Sequence, residues 1–126
     1  TYIDDIIEGI VRIMQHAPEK KNGDDGLPIP PYKVYNIGNS SPENLLDFVN
    51  ILQEELVYAG VLSTHYDFEA HKELVPMQPG DVPVTCADIS ALENDFGFKP
   101  HTSLREGLQK FVEWYKKNTD EMVSFS

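Results

Sequence analysis

The stretch that predicts the architecture is Lys33-Val34-Tyr35-Asn36-Ile37-Gly38-Asn39-Ser40-Ser41-Pro42-Glu43, because it joins a strand pattern to a helix start. Its first five residues alternate and are rich in β-formers, and the glycine ends the run. A serine that can cap a helix and a proline suited to a first helical turn follow at once. We therefore expect an α/β architecture with about four helices, one clear strand and two or three short strands.

Two helices are predicted in the first half of the chain, one before this stretch and one within it. Apolar residues recur at helical spacing from about Asp4 to His16, and one of the two aspartates at the start offers an N-cap. The second helix, capped by Ser40 or Ser41, has an apolar stripe that continues to about Tyr58. The glycine two residues later is expected to end it.

Two more helices are predicted near the end of the chain. Asp88 caps a short helix that Gly97 ends. Thr102 or Ser103 caps the last helix, and Glu106 lies at capping-box distance from the serine. The expected buried stripe of this helix consists of Leu104, Leu108, Phe111, Val112 and Tyr115.

The remaining segments are predicted to be loops and short extended pieces. Residues 19–31 are charged and rich in glycine and proline, so we expect an exposed, mobile loop there. Alternating aromatic residues suggest a short strand over residues 65–68, and residues 84–86 form another extended piece. The aromatic side chains expected in the core are Phe96, Phe98, Phe111 and Trp114.

Composition excludes several classes of function. The 126 residues carry a net charge of −11, which argues against a nucleic acid or an anionic membrane as the partner. A phosphorylated small molecule is still compatible with this charge. Cys86 is the only cysteine, so no intramolecular disulfide forms, which fits a cytoplasmic protein. No histidine pair has metal-ligand spacing, and no apolar run approaches the ~20 residues of a membrane span.

The segment from Val75 to Pro83 is the candidate site. Pro79 and Gly80 fix a bend, since proline locks φ and glycine permits turns closed to other residues. Asp81 places a carboxylate at the centre of this bend. From the residues alone, two interpretations are open: a conformational corner without a ligand, and a rigid loop that holds a few groups still for binding.

Other catalytic signatures are absent from the sequence. It contains no Gly-x-Gly-x-x-Gly turn for a pyrophosphate, and no tyrosine is followed four residues later by lysine. Cys86 has no activating base beside it in the sequence, so a structural role is expected for it. The chain begins without methionine, and we expect it to be part of a longer protein.

The order of motifs resembles the C-terminal part of extended short-chain dehydrogenase/reductases. The motifs are Thr1-Tyr2-Ile3-Asp4-Asp5-Ile6-Ile7-Glu8-Gly9-Ile10, Val34-Tyr35-Asn36-Ile37-Gly38-Asn39, Met77-Gln78-Pro79-Gly80-Asp81-Val82-Pro83-Val84-Thr85, Phe96-Gly97-Phe98-Lys99-Pro100 and Leu104-Arg105-Glu106-Gly107-Leu108. Within that superfamily the chain is most similar to the NAD-dependent nucleotide-sugar epimerases called UDP-glucuronate 4-epimerases. The resemblance covers nearly the whole chain.

The resemblance implies a function for a longer parent protein. Such a parent interconverts UDP-glucuronate and UDP-galacturonate at C4, and its N-terminal Rossmann domain binds NAD and carries the Tyr-x-x-x-Lys pair. This chain has neither, so the resemblance implies a fragment that binds no NAD, has no catalytic residue and is inactive alone. Residues 1–38 would be a helix and an orphaned Rossmann edge strand, and residues 39–126 the small substrate-binding domain. The parent would be a homodimer formed through the missing N-terminal domain.

The resemblance also gives the loop a role in substrate binding. Asp81 matches a position that contacts the nucleotide, and Pro79 and Gly80 would shape the backbone. Gln78 matches a position where many relatives carry an arginine for the diphosphate, so this chain offers a neutral donor instead. Two alternatives stay open: a nucleotide-sugar 4,6-dehydratase of the same superfamily, and a non-catalytic binding or interaction module. Metal ligands are not expected on any of these interpretations.

Overall fold

The computed structural model describes residues 1–81 and 84–123, which divide into two compact units. Unit 1 comprises Thr1–Ser41 and Cys86–His101, and unit 2 comprises Pro42–Thr85 and the chain from Thr102 onward. The elements, in chain order, are α1 (Ile3–Met14), β1 (Lys21–Asn22), β2 (Pro28–Ile29), α2 (Leu45–Tyr58), a 3₁₀ turn (Glu69–His71), α3 (Ser90–Phe96) and α4 (Leu104–Val123). Four helices and one small sheet are thus found in the described residues, which is compatible with the expected α/β class.

Helix α1 starts one residue earlier than the sequence suggests. Tyr2 occupies the N-cap position without a side-chain hydrogen bond, so the prediction of an aspartate cap is wrong. Asp4 and Asp5 lie in the first turn instead, where negative charge complements the helix dipole. Asp5 is buried, and its Oδ1 lies 3.4 Å from Nδ1 of His101. Asp5, one of the two predicted caps, therefore makes a buried contact within unit 1 instead of capping the helix.

The core of unit 1 forms where α1 packs on α3 and the chain that follows it. Gly9 allows close approach, because a Cβ there would meet side-chain atoms of Ile37 and Phe98 at 3.2–3.3 Å. The Arg12 guanidinium lies 5.0 Å from the centre of the Phe98 ring and donates a hydrogen bond to the Phe96 carbonyl at 3.3 Å. The buried apolar residues here are Ile89, Leu92 and Phe98, which confirms the core prediction for Phe98.

The predicted loop over residues 19–31 contains a small β-hairpin. β1 and β2 pair antiparallel, with Lys21 opposite Ile29 and Asn22 opposite Pro28. The tip is closed by a hydrogen bond from the Gly23 N–H to the Leu27 carbonyl at 2.8 Å. Both strands are exposed, so the expectation of an exposed segment is confirmed and only its lack of regular structure is wrong.

The two longer predicted strands are wrong. Residues 33–37 have no ladder partner among the described residues, although their alternation was the clearest strand signal. A strand needs a neighbour to satisfy its backbone groups, and the orphaned edge strand expected here is not assigned as a strand. Residues 65–68 are the end of a turn and irregular backbone instead, and the Tyr66 N–H closes the turn by bonding the Ser63 carbonyl at 3.0 Å.

Unit 2 is built on α2 packed against α4. Asn44 caps α2 in place of the predicted serines, because its side chain accepts hydrogen bonds from the N–H groups of Leu46 and Asp47. Gly60, at φ +73°, follows the helix end as expected. Ser103 caps α4 as predicted, since its Oγ accepts from the Glu106 N–H at 3.2 Å. Among the side chains of this unit that the structure describes, the buried apolar ones are Leu108 and Val112 of α4.

The expected aromatic core of α4 is wrong. Phe111 is 43% exposed and Trp114 is 59% exposed, and Tyr115 is exposed as well. Only the face of the helix that carries Leu108 and Val112 packs inside unit 2, and the aromatic rings lie beside that face. They contact one another instead, with the Phe111 ring centre 6.2 Å from the Trp114 ring and 6.2 Å from the Tyr115 ring.

Candidate functional site

The predicted site residues Gln78, Pro79, Gly80 and Asp81 form one tight turn. The Asp81 N–H donates to the Gln78 carbonyl at 3.1 Å. Gly80 adopts φ +89° directly after a proline, which is the arrangement of a type II turn. The structure therefore brings these four residues together through their local backbone, as proline and glycine at these positions dictate.

The constraint on Gly80 is its backbone angle and not a lack of space. A Cβ at this position would meet no atom within 4 Å. A side chain is nevertheless strained there, because residues other than glycine rarely adopt a positive φ. The turn sets the directions in which the side chains of Gln78 and Asp81 leave the backbone.

The loop is anchored on its N-terminal side by a cluster of polar and aromatic contacts. Lys72 pairs with Glu69, and its Nζ lies 3.5 Å from Oδ1 of Asn50 on α2. The Tyr66 ring stacks on His71 with ring centres 5.2 Å apart. From Glu73 to Asp81 every residue is exposed. The loop thus begins beside a side-chain contact with α2 and presents its turn to solvent.

The exposed turn offers groups that suit an uncharged polar part of a ligand better than a phosphate. Asp81 supplies a carboxylate and Gln78 an amide, and the stretch from Glu73 to Asp81 contains no lysine or arginine. A carboxylate accepts hydrogen bonds from hydroxyl or ring N–H groups, and an amide both donates and accepts. The last two residues of the candidate segment, Val82 and Pro83, lie outside the described residues.

The structure also forms a charged groove that sequence reasoning missed. Arg105 of α4 bridges two carboxylates of α2, with NH1 2.5 Å from Oε1 of Glu55 and NH2 2.6 Å from Oε2 of Glu54. Hydrogen bonds from Arg105 to Glu54 first, and then to Glu55, raise the pKa of the guanidinium. Tyr58 and Gln109 complete the lining of a cavity of about 410 Å³. No sequence signal pairs these residues, because they are about fifty positions apart.

Arg105 acts in this groove as a structural ion. Glu55 is buried, so its carboxylate needs a nearby cation or donor to offset lost hydration. Glu54 is largely exposed and supplies the weaker half of the bridge. The two ion pairs of Arg105 therefore link α2 and α4 within unit 2. The turn residues Gln78–Asp81 do not line the groove.

A second cluster in unit 1 centres on Asp95. Its Oδ2 accepts a hydrogen bond from the Tyr35 hydroxyl at 2.6 Å and pairs with Lys33. These two hydrogen bonds, that from Lys33 first, lower the pKa of Asp95. The same contacts raise the pKa of Lys33 and of Tyr35. Alternate residues of the segment over residues 33–37 are thereby attached to the C-terminal end of α3.

Comparison with known proteins identifies relatives with similar sequences. No family model matches it. It is 43% identical over 122 residues to a 37.6 kDa protein of the cld 5′ region of Escherichia coli O111:H- and 41% identical over 121 residues to Protein CapI of Staphylococcus aureus. It is 41% identical over 118 residues to UDP-glucuronate 4-epimerase 4 of Arabidopsis thaliana. The chain is homologous to UDP-glucuronate 4-epimerases. This confirms the resemblance that the motif order predicts.

The homology covers the chain far better than it covers the relatives. The three matches include 92%, 91% and 91% of this chain but 34%, 33% and 24% of those proteins. The chain thus spans about a quarter to a third of the length of the curated relatives it matches. Most of an epimerase of that length has no counterpart in these 126 residues.

The residues of this epimerase homologue do not fit a dinucleotide cofactor. A dinucleotide cradle requires a strand that runs into a helix through a glycine-rich turn. The strands found in the described part of the chain are β1 and β2, and neither leads into a helix.

The described residues contain neither a metal-binding cluster nor a helix that could span a membrane. No group of three or more histidine, cysteine or acidic residues is placed to hold a metal ion in residues 1–81 and 84–123. Over the same residues, no helix combines the length and the apolar character that crossing a membrane requires.

Proposed function

We propose that this chain is the C-terminal, substrate-binding portion of an NAD-dependent epimerase that interconverts UDP-glucuronate and UDP-galacturonate at C4. The observation that carries the proposal is the 41% identity over 118 residues to UDP-glucuronate 4-epimerase 4. Proteins named UDP-glucuronate 4-epimerase recur among the other relatives, at 38–43% identity. In this proposal NAD and the residues that perform the chemistry belong to the part of the enzyme that precedes Thr1, so the chain alone has no epimerase activity.

We further propose that two segments of the chain have different roles in the parent enzyme. Residues 1–38 pack on the cofactor-binding domain of the parent, and residues 39–126 form the small substrate domain, of which residues 86–101 fold together with the N-terminal segment in unit 1. The exposed apolar face of α1 supports the first part, since a surface of this kind is normally covered. The parent enzyme is proposed to act in the cytoplasm as a homodimer formed through its N-terminal domain.

The turn at Gln78–Asp81 is the proposed contact with the nucleotide of the substrate. Its support is the type II geometry, which fixes the backbone, and the exposure of all four residues. Asp81 accepts a hydrogen bond from the nucleotide, and Gln78 donates its amide toward the diphosphate. Pro79 and Gly80 hold the two side chains at fixed directions.

The proposal is tested on the full-length gene product that contains this chain. The purified protein is incubated with UDP-glucuronate and added NAD, and formation of UDP-galacturonate is followed by chromatography. Conversion is expected, and Asp81→Ala is expected to raise KM for the UDP-sugar at least tenfold. The matched control is Asp24→Ala at the tip of the hairpin, which should leave KM unchanged.

The same assay separates this proposal from its alternatives. If no C4 epimerisation occurs, but a dTDP- or GDP-sugar yields a 4-keto-6-deoxy product, the parent is a 4,6-dehydratase. Absence of turnover on all three sugar nucleotides would favour a binding or interaction module. An Asp81→Ala enzyme with an unchanged KM would contradict the proposed role of the turn, while leaving the reaction itself in place.

A further inference from the structure

The hairpin formed by β1 and β2 carries an asparagine followed by a glycine at the point where β1 ends. Asn22 is the last residue of β1 and is exposed, and Gly23 begins the tip. No other asparagine of the sequence precedes a glycine. In this pair the backbone nitrogen of the glycine reaches the asparagine side chain with least hindrance, because glycine has no Cβ. Asn22 is therefore the asparagine whose sequence context most favours loss of its side-chain amide.

Loss of the amide at such a pair needs no enzyme. The Gly23 backbone nitrogen gives up its proton and attacks Cγ of Asn22, so that a new N–C bond forms. The bond from Cγ to the side-chain nitrogen breaks, and that nitrogen leaves as ammonia after taking up a proton. A five-membered succinimide ring remains. Water then adds to one of the two ring carbonyls and opens the ring to aspartate or to isoaspartate.

The hairpin holds the attacking nitrogen in a hydrogen bond. The Gly23 N–H donates to the Leu27 carbonyl at 2.8 Å, and the Leu27 N–H donates to Oδ1 of Asp25 at 3.0 Å. The tip must therefore open before the nitrogen can turn toward the side chain of Asn22. Each strand has two residues, and a hairpin of two short strands is marginally stable, so the tip opens readily.

Other asparagines differ from Asn22 in both their contacts and their sequence context. Asn36 donates its side-chain amide to a backbone carbonyl at 3.0 Å, and it precedes the β-branched Ile37. Asn44 accepts from two backbone N–H groups at the start of α2, at 2.8 and 3.4 Å. A bonded side chain is held away from the next backbone nitrogen, and a following residue with a Cβ hinders the attack. These two asparagines are therefore controls within the same molecule.

We propose that Asn22 is a site of spontaneous deamidation and that the hairpin sets its rate. Water is the one co-reactant, and each event adds one negative charge to a chain whose net charge is already −11. Where the product is isoaspartate, the main chain gains a methylene group within β1. The register that places Lys21 opposite Ile29 is then lost, so closing of the hairpin does not reverse the change. The extent of modification thus records the age of the protein, independently of the reaction proposed above.

The test follows deamidation in the full-length gene product that contains this chain. The protein is kept at physiological temperature and neutral pH for several weeks, and peptide mapping by mass spectrometry measures the converted fraction at each asparagine. A synthetic peptide with the sequence of residues 18–32 gives the rate without the hairpin. Asn22 is expected to convert at least tenfold faster than Asn36 and Asn44, and at least fivefold more slowly than the same residue in the peptide.

Each of the two comparisons can overturn one part of the proposal. A rate at Asn22 within tenfold of that at Asn36 or Asn44 would overturn the assignment of the site. A rate in the protein within fivefold of that in the peptide, or above it, would overturn control of the reaction by the hairpin.

A matched pair of variants tests the role of the tip. Asp25→Ala removes the acceptor for the Leu27 N–H and the carboxylate beside Gly23, where a Cβ would meet Oδ1 of Asp25 at 2.8 Å. This variant is expected to raise the rate at Asn22 at least twofold, relative to a peptide with the same substitution. Asp24→Ala makes the same change one residue earlier, at an exposed side chain, and should leave this ratio unchanged. Equal effects of the two variants, or none from Asp25→Ala, would contradict protection by the closed tip.

Discussion

At the scale of single residues, Gly80 links backbone geometry to the proposed binding turn. Its φ of +89° is strained for any side chain, although nothing occupies the space around it. Gly80→Ala is therefore expected to favour other turn shapes by about 1 kcal/mol. In the full-length enzyme, we predict a severalfold higher KM for UDP-glucuronate with a smaller change in kcat.

A second glycine in the same conformation provides the control for this prediction. Gly26 in the hairpin has φ +77° and is equally open to solvent. Gly26→Ala carries the same backbone penalty away from the proposed site, so its KM should equal that of the unmodified enzyme. A raised KM in both variants would indicate a general loss of stability and not an effect of the turn.

Gly38 is required for a different reason, which is close packing. A Cβ on Gly38 would lie 2.7 Å from the Cβ of Ala87, nearer than real carbon atoms approach. Gly38→Ala is expected to lower the free energy of unfolding by about 1–3 kcal/mol. Ala87→Gly removes the opposing carbon, so the double variant should regain part of the loss. Thermal unfolding of the three variants measures this, and no rescue in the double variant would contradict the explanation.

The helix stops were predictable from single residues, and the helix starts were less so. Gly97 ends α3 at φ +58°, and glycine is the one residue that adopts this angle without cost. Several side chains near a helix start can serve as caps, and tertiary packing decides among them. Asn44 replaced Ser40 and Ser41 because the first turn began later, at Leu45. The turn at Gln78–Asp81 was predictable in the same way as the helix stops, since proline and glycine specify it locally.

At the scale of elements, Arg105 joins α2 to α4. Arg105→Ala would leave the buried carboxylate of Glu55 without its cation, whose loss is costly in a buried position. We expect the melting temperature to fall by several degrees. Glu54→Ala removes only the exposed half of the bridge and should change it much less. Similar losses of melting temperature in the two variants would contradict the explanation that the bridge stabilises the chain because Glu55 is buried.

The cluster at Asp95 predicts a pH dependence with two limits. The lowered pKa of Asp95 gives a contribution that is present above the ordinary aspartate pKa of ~3.9 and is lost as pH falls through the lower folded value. The raised pKa values of Lys33 and Tyr35 give a contribution that is present below about 10 and is lost as pH rises further. Stabilisation by the cluster is therefore confined to the range between these limits.

The measurement is the melting temperature of the chain and of Asp95→Asn from pH 2 to pH 11. The difference between the two should be greatest near neutral pH and should shrink at both ends. Lys33 and Asp95 are exposed and Tyr35 is half-buried, so the difference is expected to be small and to decrease in high salt. Asp24→Asn in the hairpin serves as the control, and a difference that does not vary with pH would refute the assignment.

The strand over residues 33–37 could not be judged from the sequence alone. Its alternation reports that the segment suits a sheet, but a strand also requires a neighbour, and the described residues provide none. The aromatic residues of α4 follow the same logic. Phe111 and Trp114 are apolar enough for a core, yet only one side of the helix meets α2. A sequence pattern therefore predicts which side chains a segment could bury, whereas the neighbouring elements determine which of them it does bury.

At the scale of the whole molecule, the chain is predicted to bind UDP weakly. The turn at Gln78–Asp81 is exposed, and the rest of the proposed pocket belongs to the parent enzyme. Titration of the 126-residue chain with UDP by NMR should give shifts confined to this turn, with a dissociation constant in the millimolar range or above. Asp81→Ala should abolish the shifts. Micromolar binding by the isolated chain would contradict the proposal that this chain contains only part of the pocket.

The division into two units follows an interleaved path along the chain. Unit 1 takes its α1 from the N-terminal segment and its α3 from residues 86–101, while the segment between them belongs to unit 2. During synthesis, α1 therefore leaves the ribosome several seconds before α3, at ~5–20 residues per second. Through that interval its apolar surface is available to chaperones. A gene fragment that ended at Thr85 would encode an incomplete version of both units, so neither could be expressed separately as one continuous piece.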